Sequence, residues 1–436
     1  PQSFTLDTEL PDAPILTTSI QPVTVDGKET LISSTNTVTL QIVAEAGSTI
    51  EVYDRNLLLG TDTLMGTVSS VSGDTSNYSF TTPLLTGKDH AFWARAIDVA
   101  GNKSSGSGLL NIQLDTQAPM TPFISAFSDN TGLTADRVTN DNTITLNITA
   151  EAGSTVKVYD GLTLLGTATE TSAGSFSFTT ALLDDGVHSF TATSKDLAGN
   201  VSEGSPAMLV TVDTLKPVSP TVVLALDTSS NGGGNTDNIT SNATVNVSGL
   251  EVGSTWEYST DGGTTWTAGV GTSFQLSGTG AQNYLVRQKD VAGNTSDSTS
   301  FTATLDSASP TAPTIDGFAD NTGLTADNIT KDNTLTLAIT AESGSTVKVY
   351  DGMTLLGIAV ETISGFSFTT GPLADGSHNF TVTATDVAGN VSLISASYPV
   401  VVDTTAPAMP VINAFADNSG LTTDAITNDN TLTPVS

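Results

Sequence analysis

The stretch Thr143-Ile-Thr-Leu-Asn-Ile-Thr-Ala150 decides the fold of this chain. Its apolar residues alternate strictly with polar ones, so a β-strand would place every apolar side chain on one face. Shorter alternating runs follow, such as Val156 with Val158 and Phe176 with Phe178, and Gly, Asn and Asp separate them. No segment keeps the period of about 3.6 residues that indicates a helix. About seven such strands in succession predict an immunoglobulin-like (Ig-like) β-sandwich.

The same pattern recurs along the chain as an internal repeat. The motif Asp-x-Ala-Gly-Asn occurs four times, Glu-x-Gly-Ser-Thr four times and Asp-Thr/Ser-x-x-Pro five times. The aspartates that open the last motif are 108, 98, 93 and 97 residues apart. Because proline suppresses helix and restricts the residue before it, this motif marks the passage between domains. We therefore predict an all-β chain of tandem Ig-like domains arranged as an extended rod: a linker at 1–11, domains at 12–115, 116–213, 214–306 and 307–403, and a partial fifth domain at 404–436.

The charge of the chain restricts its partners. The 436 residues include 45 Asp and Glu but only 13 Lys and Arg, which gives a formal net charge of −32. Such a chain repels nucleic acids and anionic membrane surfaces, and it attracts cations. There is no cysteine, which excludes disulfides and thiolate chemistry, and no apolar run is long enough for a transmembrane helix. Since the sequence opens at Pro1 and stops in mid-pattern at Ser436, we expect it to be a segment of a longer protein.

Several motifs taken together resemble a known family. They are Asn140-Asp-Asn-Thr, Glu151–Asp160, Asp184-Asp-Gly-x-His188, Asp196–Asn200 and Asp213-Thr, and a closely similar string recurs in the fourth repeat. This combination resembles the bacterial Ig-like repeats of giant surface adhesins, including RTX-type and biofilm-associated adhesins that type I systems secrete. The resemblance implies an Ig-like fold, an extracellular location at the bacterial surface or in secreted form, and calcium at the domain junctions.

The topology of such a sandwich places the acidic motifs. Glu-x-Gly-Ser-Thr lies in the loop between strands B and C (the BC loop) and Asp-x-Ala-Gly-Asn in the loop between strands F and G (the FG loop), and both loops lie where the linker enters. In domain 2, Asp115, Glu151, Asp196 and Asn200 should therefore converge. The equivalent residues are Asp7, Glu45, Asp98 and Asn102 in domain 1, Asp213, Glu251, Asp290 and Asn294 in domain 3, and Asp306, Glu342, Asp386 and Asn390 in domain 4, with Asp403 in the linker to the fifth repeat.

A second set of acids lies in the loops between strands A and B (the AB loops), at the opposite end of each sandwich. Each junction from 2–3 onward is expected to stack the AB loop of one domain on the acidic end of the next. Junction 1–2 lacks the full set, because the loop at 23–28 carries Asp26 and a lysine. The AB-loop acids are Asp129 and Asp136 in domain 2, Asp227 and Asp237 in domain 3, and Asp320 and Asp327 in domain 4.

Carboxylates gathered at a junction repel one another unless a cation lies among them. Calcium binds about six to eight oxygen atoms from carboxylates, Asn side chains and backbone carbonyls, which is the set that these residues supply. Magnesium demands a tighter octahedral geometry, and zinc favours Cys and His. The alternative is that Asp and Asn serve only as turn residues, which we expect for Asp160 and Asp351 before glycines. We predict calcium ions at the junctions, held by the residues named above.

The remaining motifs favour a non-catalytic function. His90, His188 and His378 occupy one equivalent position in three repeats, which is typical of a structural role. The sequence has no His-Glu-x-x-His, phosphate-binding loop or Gly-x-Ser-x-Gly motif. We interpret the chain as a structural extender of a large adhesin that serves cell adhesion or biofilm formation. Its partners would be calcium ions and neighbouring repeats, and host or surface glycans or proteins would bind through domains outside this chain.

Two other functions stay open as hypotheses. One is a binding module in domain 3, where Trp256, Tyr258 and Trp266 would form a row of exposed rings that contact a glycan or a protein. The other is a spacer region of a secreted multidomain enzyme whose catalytic domain lies outside this chain. An exposed row of rings would favour the binding module, whereas rings packed on the sheet would argue against it.

Overall fold

The computed structural model describes residues 4–69, 76–128, 136–229, 236–319, 322 and 327–411. All regular elements in these residues are β-strands, thirty-five in number. They form eight sheets, and each sheet contains strands of a single repeat. None of these residues belongs to a helix with the length and apolar character that a membrane crossing requires. The chain divides into two compact units, one up to Pro217 with Lys289–Thr295, and one of Val218–Gln288 with the residues from Ser296 onward.

Repeat 1 contains two sheets and the longest hairpin of the described chain, between β5 and β6. Its strands are β1 (Ile15–Thr18), β2 (Pro22–Val25), β3 (Lys28–Ser33), β4 (Thr39–Val43), β5 (Thr49–Asn56), β6 (Thr61–Ser69), β7 (Asn77–Thr81), β8 (Asp89–Ile97) and β9 (Leu110–Leu114). The smaller sheet has the order β1-β4-β7 and the larger one β2-β3-β9-β8-β5-β6.

Repeat 2 forms a four-stranded and a five-stranded sheet. Its strands are β10 (Phe123–Ser128), β11 (Val138–Thr139), β12 (Thr145–Thr149), β13 (Thr155–Asp160), β14 (Thr163–Thr167), β15 (Thr169–Ser172), β16 (Ser175–Thr179), β17 (Gly186–Lys195) and β18 (Met208–Val212). The orders are β10-β12-β16-β15 and β11-β18-β17-β13-β14.

Repeat 3 forms a three-stranded and a five-stranded sheet. Its strands are β19 (Thr221–Leu224), β20 (Ile239–Thr240), β21 (Thr244–Ser248), β22 (Thr255–Ser259), β23 (Thr267–Ala268), β24 (Ser273–Gln275), β25 (Gly280–Lys289) and β26 (Thr299–Leu305). The orders are β19-β21-β24 and β20-β26-β25-β22-β23.

Repeat 4 has the same two sheets as repeat 2. Its strands are β27 (Thr314–Phe318), β28 (Ile329–Thr330), β29 (Thr336–Thr340), β30 (Thr346–Asp351), β31 (Thr354–Ile358), β32 (Val360–Thr362), β33 (Gly365–Thr369), β34 (Gly376–Thr385) and β35 (Tyr398–Val402). The orders are β27-β29-β33-β32 and β28-β35-β34-β30-β31. The prediction of tandem Ig-like sandwiches is confirmed.

In repeats 2 to 4 the first strand is divided between the two sheets. β10, β19 and β27 pair antiparallel within the first sheet, whereas the short strands β11, β20 and β28 pair parallel with the last strand of their repeat. The residue before each short strand has a left-handed backbone, with φ of 59° at Arg137, 60° at Asn238 and 55° at Asn328. Asparagine adopts this region more readily than arginine. The carbonyl of each of these residues accepts a hydrogen bond from an N–H of the last strand. This bond fixes the position at which the chain passes from the first sheet to the second.

The core of each repeat follows the alternation seen in the sequence. Ile144, Leu146 and Ile148 are buried in repeat 2, and Asn147 between them is exposed, as predicted. They pack in one cluster with Phe190 and other apolar residues of the second sheet. Burial of each such side chain contributes about 1.5–3 kcal/mol. Since each repeat has its own cluster, each can bury a core without its neighbours.

The aromatic residues of repeat 3 pack inward instead of forming an exposed row. Trp256 is 4% exposed and belongs to the core cluster. The ring of Tyr258 stacks on that of Phe274 with their centroids 4.8 Å apart. Trp266 is half-buried, and the guanidinium of Arg287 lies over its ring at 3.7 Å. The binding-module hypothesis therefore loses the feature on which it depended.

Gly269 tests this packing, because an added Cβ would lie only 2.1 Å from the indole of Trp256. We expect Gly269→Ala to destabilise repeat 3 by about 1–3 kcal/mol through overpacking. Urea unfolding followed by tryptophan fluorescence measures this, since two of the three tryptophans lie in this repeat. Gly108→Ala is the control, because nothing lies within 4 Å of its added Cβ. Equal unfolding curves for the two variants would contradict the packing of Trp256.

Candidate junction sites

The FG loop of each repeat is closed by its own aspartate. In repeat 2 the carboxylate of Asp196 accepts hydrogen bonds from the backbone N–H groups of Gly199 at 2.7 Å and Asn200 at 2.8 Å. Its second oxygen accepts one from the Asn200 side-chain amide at 2.9 Å. Gly199 has a φ of 101°, which explains why glycine occupies this position. The motif Asp-x-Ala-Gly-Asn is therefore a hydrogen-bonded turn.

The same asparagine amide reaches back to the linker that enters the repeat. Nδ2 of Asn200 donates to the backbone carbonyl of Asp115 at 2.7 Å. Three further bonds repeat this contact: Asn294 to Asp213 at 2.7 Å, Asn390 to Asp306 at 2.8 Å, and Asn102 to Asp7 at 3.3 Å. The structure thus brings together the linker aspartate, the FG-loop aspartate and the asparagine, as the topology predicted. It does so through the linker backbone.

The linker aspartates are themselves held at two atoms. The N–H of Asp115 donates to the carbonyl of Ser33 at 2.9 Å. The Oδ1 atom of Asp115 accepts the N–H of Gln117 at 3.1 Å, which forms a turn. Asp213, Asp306 and Asp403 repeat both bonds. Their Oδ2 atoms accept no hydrogen bond from the part of the chain that the structure describes.

In repeat 1 the FG-loop bonds also affect titration. Burial opposes ionisation of Asp98, but hydrogen bonds from Asn102, Gly101 and Ala100 outweigh it and lower the pKa of this carboxyl. The carboxylate form is therefore the one that the loop stabilises.

The four BC-loop glutamates contribute backbone atoms to a turn, while their side chains are exposed. The carbonyl of Glu151 accepts both the N–H and the hydroxyl of Ser154. In the described residues no hydrogen bond or ion pair joins any of their carboxylates to a linker aspartate. The glutamates are Glu45, Glu151, Glu251 and Glu342.

The AB-loop acids behave mostly as turn residues where the structure describes them. Asp129 and Asp320 lie outside the described residues. The Oδ1 atoms of Asp136, Asp237 and Asp327 each accept the N–H two residues further on, which supports the left-handed residue between. Oδ2 of Asp227 accepts the N–H of Asn238 at 3.0 Å, and its buried Oδ1 has no hydrogen-bond partner among the residues that the structure describes.

The side-chain and backbone oxygens at these junctions are of the type that binds a hard cation. They are too few to complete a coordination shell. The candidate ligand atoms are all oxygens, and the Oδ2 atom of each linker aspartate accepts no hydrogen bond from the described residues. Within the described ranges, no group of three or more Asp, Glu or His side chains could hold a metal ion. The FG-loop aspartates are occupied by their own loops. A calcium ion, which needs about six to eight oxygens, would require further donors such as water and the AB-loop acids.

Two aspartates that the sequence analysis did not select also hold linkers. Asp185 accepts both the N–H and the hydroxyl of Thr214, at 2.8 and 2.9 Å. Asp375 holds Thr404 in the same way, and the Thr404 hydroxyl is the main reason why the pKa of Asp375 is lowered. The shared string Asp-Gly-x-His in repeats 2 and 4, absent from repeat 3, was the signal that could have identified them.

The histidines of repeats 2 and 4 form charged pairs beside these aspartates. Nδ1 of His188 lies 2.7 Å from a carboxylate oxygen of Asp160, and Nε2 lies 2.9 Å from the carbonyl of Asp184. His378 has the same geometry with Asp351 and the Ala374 carbonyl. Because both ring nitrogens face acceptors, this geometry favours the imidazolium form of the ring, in which both nitrogens donate. Asp160 and Asp351 therefore do more than occupy a hairpin turn.

The fold defines a class of protein: tandem Ig-like sandwiches joined by short linkers that hydrogen bonds fix in place. Residues 118–214 and 309–404, the second and fourth repeats, match the family model described as bacterial Ig-like domain.

Named proteins similar to the chain include two enzymes of Cellulomonas fimi. Exoglucanase B is 34% identical over 370 residues, covering 79% of this chain and 32% of that protein. Exoglucanase A is 33% identical over 323 residues, covering 65% and 32%. The chain thus spans about a third of the length of these curated relatives. Among solved structures, a tetra-tandem repeat in the extending region of a large adhesion protein is 20% identical, covers 90% of this chain and 100% of that chain, and has a TM-score of 0.30.

The imidazolium pairs predict a dependence of stability on pH. Burial opposes the charged ring of His188, but the hydrogen bonds that the ring donates to Asp160 and to the Asp184 carbonyl outweigh it and raise the pKa. For His378, burial is likewise outweighed by the Ala374 carbonyl and Asp351. A raised pKa stabilises the fold fully below the unfolded value of about 6.5, and this contribution is lost as pH rises through the folded value.

NMR titration of the three histidines measures this, with His188→Gln and His378→Gln used to assign the signals. We expect the signals of His188 and His378 to titrate above about pH 6.5. The thermal unfolding midpoint should fall over the same pH range, and His188→Gln should reduce that fall. Titration of both rings at or below the ordinary value would contradict the imidazolium assignment.

Proposed function

We propose that this chain is a structural extender, a non-catalytic series of repeats that separates other parts of a larger extracellular protein. The observation that carries the proposal is that hydrogen bonds fix linker aspartates to the repeats on both sides. The linker aspartates Asp115, Asp213 and Asp306 are each fixed at the N–H, the carbonyl and one carboxylate oxygen. A linker held at three atoms transmits the orientation of one repeat to the next, which is what a spacer needs.

We propose further that the larger protein is a bacterial surface adhesin serving cell adhesion or biofilm formation, of the RTX type that type I systems secrete. The support is the combination of acidic, cysteine-free repeats with motifs of bacterial Ig-like domains. The chain would then be extracellular, and its own histidines would be structural, since those of repeats 2 and 4 are committed to buried or half-buried aspartate pairs.

Calcium at the junctions is part of this proposal. The uncommitted oxygens of Asp115, Asp213, Asp306 and Asp403 would contribute to binding, together with the exposed BC-loop glutamates and the AB-loop acids. The ion would supply positive charge where carboxylates otherwise repel, so that acidic ends of repeats tolerate close approach. Extracellular sites of this chemistry have dissociation constants of about 10⁻⁴–10⁻³ M, so they fill outside a cell.

A second candidate function is a spacer within a secreted multidomain enzyme. The specific observation in its favour is the 34% identity with Exoglucanase B over 370 residues, since the matched part is 32% of that protein. The junction chemistry would be the same in both settings. The sequence that flanks this chain in the full polypeptide separates the two, because the enzyme setting requires a glycoside hydrolase domain there.

Small-angle scattering tests the calcium-stiffened extender. A compact globule of this length would have a radius of gyration of about 22 Å. Four sandwiches end to end make a rod of about 170 Å, with a radius of gyration of about 50 Å. We expect the extended value in millimolar calcium and a broader, less stiff ensemble in excess EDTA, because removing the ion restores carboxylate repulsion.

Matched variants separate the junction acids from charge in general. Asp213→Asn with Asp306→Asn should greatly reduce the difference between calcium and EDTA, because it removes a linker carboxylate from junctions 2–3 and 3–4. Glu29→Gln with Glu203→Gln removes the same charge from exposed acids elsewhere and should preserve the difference. Identical curves with and without calcium would refute the calcium proposal, and a globular radius would refute the extender itself.

A further inference from the structure

The apex of the FG loop in repeat 4 is buried against repeat 3. The carbonyl of Ala388 accepts a hydrogen bond from the N–H of Ser241 at 3.2 Å and another from the hydroxyl of Thr228. Ala388 is 0% exposed, although it lies at the tip of a loop. A loop tip normally faces solvent, so this burial requires a partner.

Gly389, next to Ala388, packs closely against the same surface of repeat 3. A Cβ on Gly389 would lie 3.2 Å from the carbonyl oxygen of Ser229 and 3.2 Å from Cβ of Thr228. Gly389 also has a φ of 88°, so glycine is favoured there for two independent reasons. The Ala-Gly apex is therefore complementary in shape to the end of repeat 3 that carries Thr228 and Ser241.

The FG loop at 290–294 makes the equivalent contact. The carbonyl of Ala292 accepts the N–H of Asn140 at 3.1 Å, and Ala292 is also 0% exposed. Asn140 and Ser241 occupy the same position, directly after the short strands β11 and β20. The contact thus recurs with the same atoms: a backbone N–H after the short strand and the carbonyl of the motif alanine.

In the described residues of repeats 1 and 2, the equivalent contact is not made. The equivalent residues are Ser34, after β3, and Ala198, which is only half-buried. An open cleft of about 540 Å³ lies there, lined by both residues and by Ile20, Gln21 and Lys195 among others. Across the described parts of these two repeats, no hydrogen bond joins Ser34 to the FG loop. A Cβ on Gly199 would approach only the side chain of Lys195, at 3.6 Å, within its own loop.

We propose that the Ala-Gly apex of Asp-x-Ala-Gly-Asn is a latch that docks onto the end of the preceding repeat without a metal ion. The joint between repeats 3 and 4 is latched, whereas the joint between repeats 1 and 2 is held by its linker alone and is the looser of the two, which we call the hinge. The latch consists of hydrogen bonds that a backbone N–H and a hydroxyl donate to a backbone carbonyl, so it needs no metal ion. It therefore goes beyond the proposed calcium sites and predicts stiffness that survives chelation.

Distance measurements between spin labels test this on the full chain, because it contains no cysteine of its own. Thr302→Cys with Thr354→Cys places labels on exposed strand residues across the joint between repeats 3 and 4. Asn111→Cys with Thr163→Cys places them at the equivalent positions across the joint between repeats 1 and 2. In excess EDTA we expect the distance distribution of the second pair to be about twofold wider, because domains without a firm interface move relative to each other.

Two glycine variants form a matched pair. Gly389→Ala and Gly199→Ala strain the same loop position, with φ of 88° and 101°, but only the first meets the preceding repeat. We expect Gly389→Ala to widen the distribution for the 302/354 pair about twofold, toward that of the hinge, and Gly199→Ala to leave the 111/163 pair unchanged. Thr228→Val removes a donor from the opposite side of the latch and should widen the 302/354 distribution without straining the loop.

Equal widths at the two joints in EDTA would overturn the latch. An unchanged width of the 302/354 distance distribution in folded Thr228→Val would also overturn the latch. If Gly389→Ala unfolds its loop, Thr228→Val is the variant that tests the latch. The calcium proposal can fail independently of the latch. It fails if adding calcium changes nothing in the scattering curves, whereas the latch is tested by the spin-label distances in EDTA alone.

Discussion

One side-chain amide in each repeat connects the loop, the linker and the joint. The asparagine that ends Asp-x-Ala-Gly-Asn donates both amide hydrogens, one to the aspartate of its own loop and one to the carbonyl of the entering linker. Asn294, which makes this pair of bonds in repeat 3, is 8% exposed. Replacement of such a donor leaves two acceptors without a partner, at a cost of about 1–3 kcal/mol. Aspartate, the nearest substitute in shape, would add repulsion to that cost.

Much of the junction follows from this bond. With the linker carbonyl held, the linker aspartate turns its N–H to the preceding repeat and closes a turn with its own carboxylate. With the FG loop held in the same shape, the motif alanine presents its carbonyl outward at the loop apex. The acidic character of the motif therefore has a structural cause that does not require a metal. Any calcium ion must bind oxygens that these bonds leave uncommitted.

The sequence predicted the strands and the meeting of the motifs, but not the direction of the side chains. The alternation at 143–150 determines which residues are buried, because a strand offers only two faces. Loop order likewise predicted that Asp196, Asn200 and Asp115 meet. Periodicity does not determine which atom of Asn200 faces the linker, so the bond that its amide donates to the linker was not predicted, and its role as a calcium ligand stays a prediction. For Trp256 the sequence left an exposed and a packed ring as alternatives, since its burial depends on the space that Gly269 leaves.

Asp185 and Asp375 were missed because their partners are distant in sequence. Each binds a threonine 29 residues away, in the linker that leaves the repeat. A short motif reports local spacing and carries no information about such a contact. The same limit applies to the latch, which joins Thr228 to Ala388 over 160 residues.

Amide hydrogen exchange at the linkers tests the central role of the asparagine amide most directly. In EDTA, we expect the amides of Asp115, Asp213, Asp306 and Asp403 to be protected like those of the strands. Asn390→Asp should lower the protection at Asp306 by about tenfold to a hundredfold, as the loss of about 1–3 kcal/mol implies. Asn379→Asp introduces the same charge at an exposed site of repeat 4 and should not. Linker amides that exchange as in an unfolded chain, or protection at Asp306 that survives Asn390→Asp, would contradict the account.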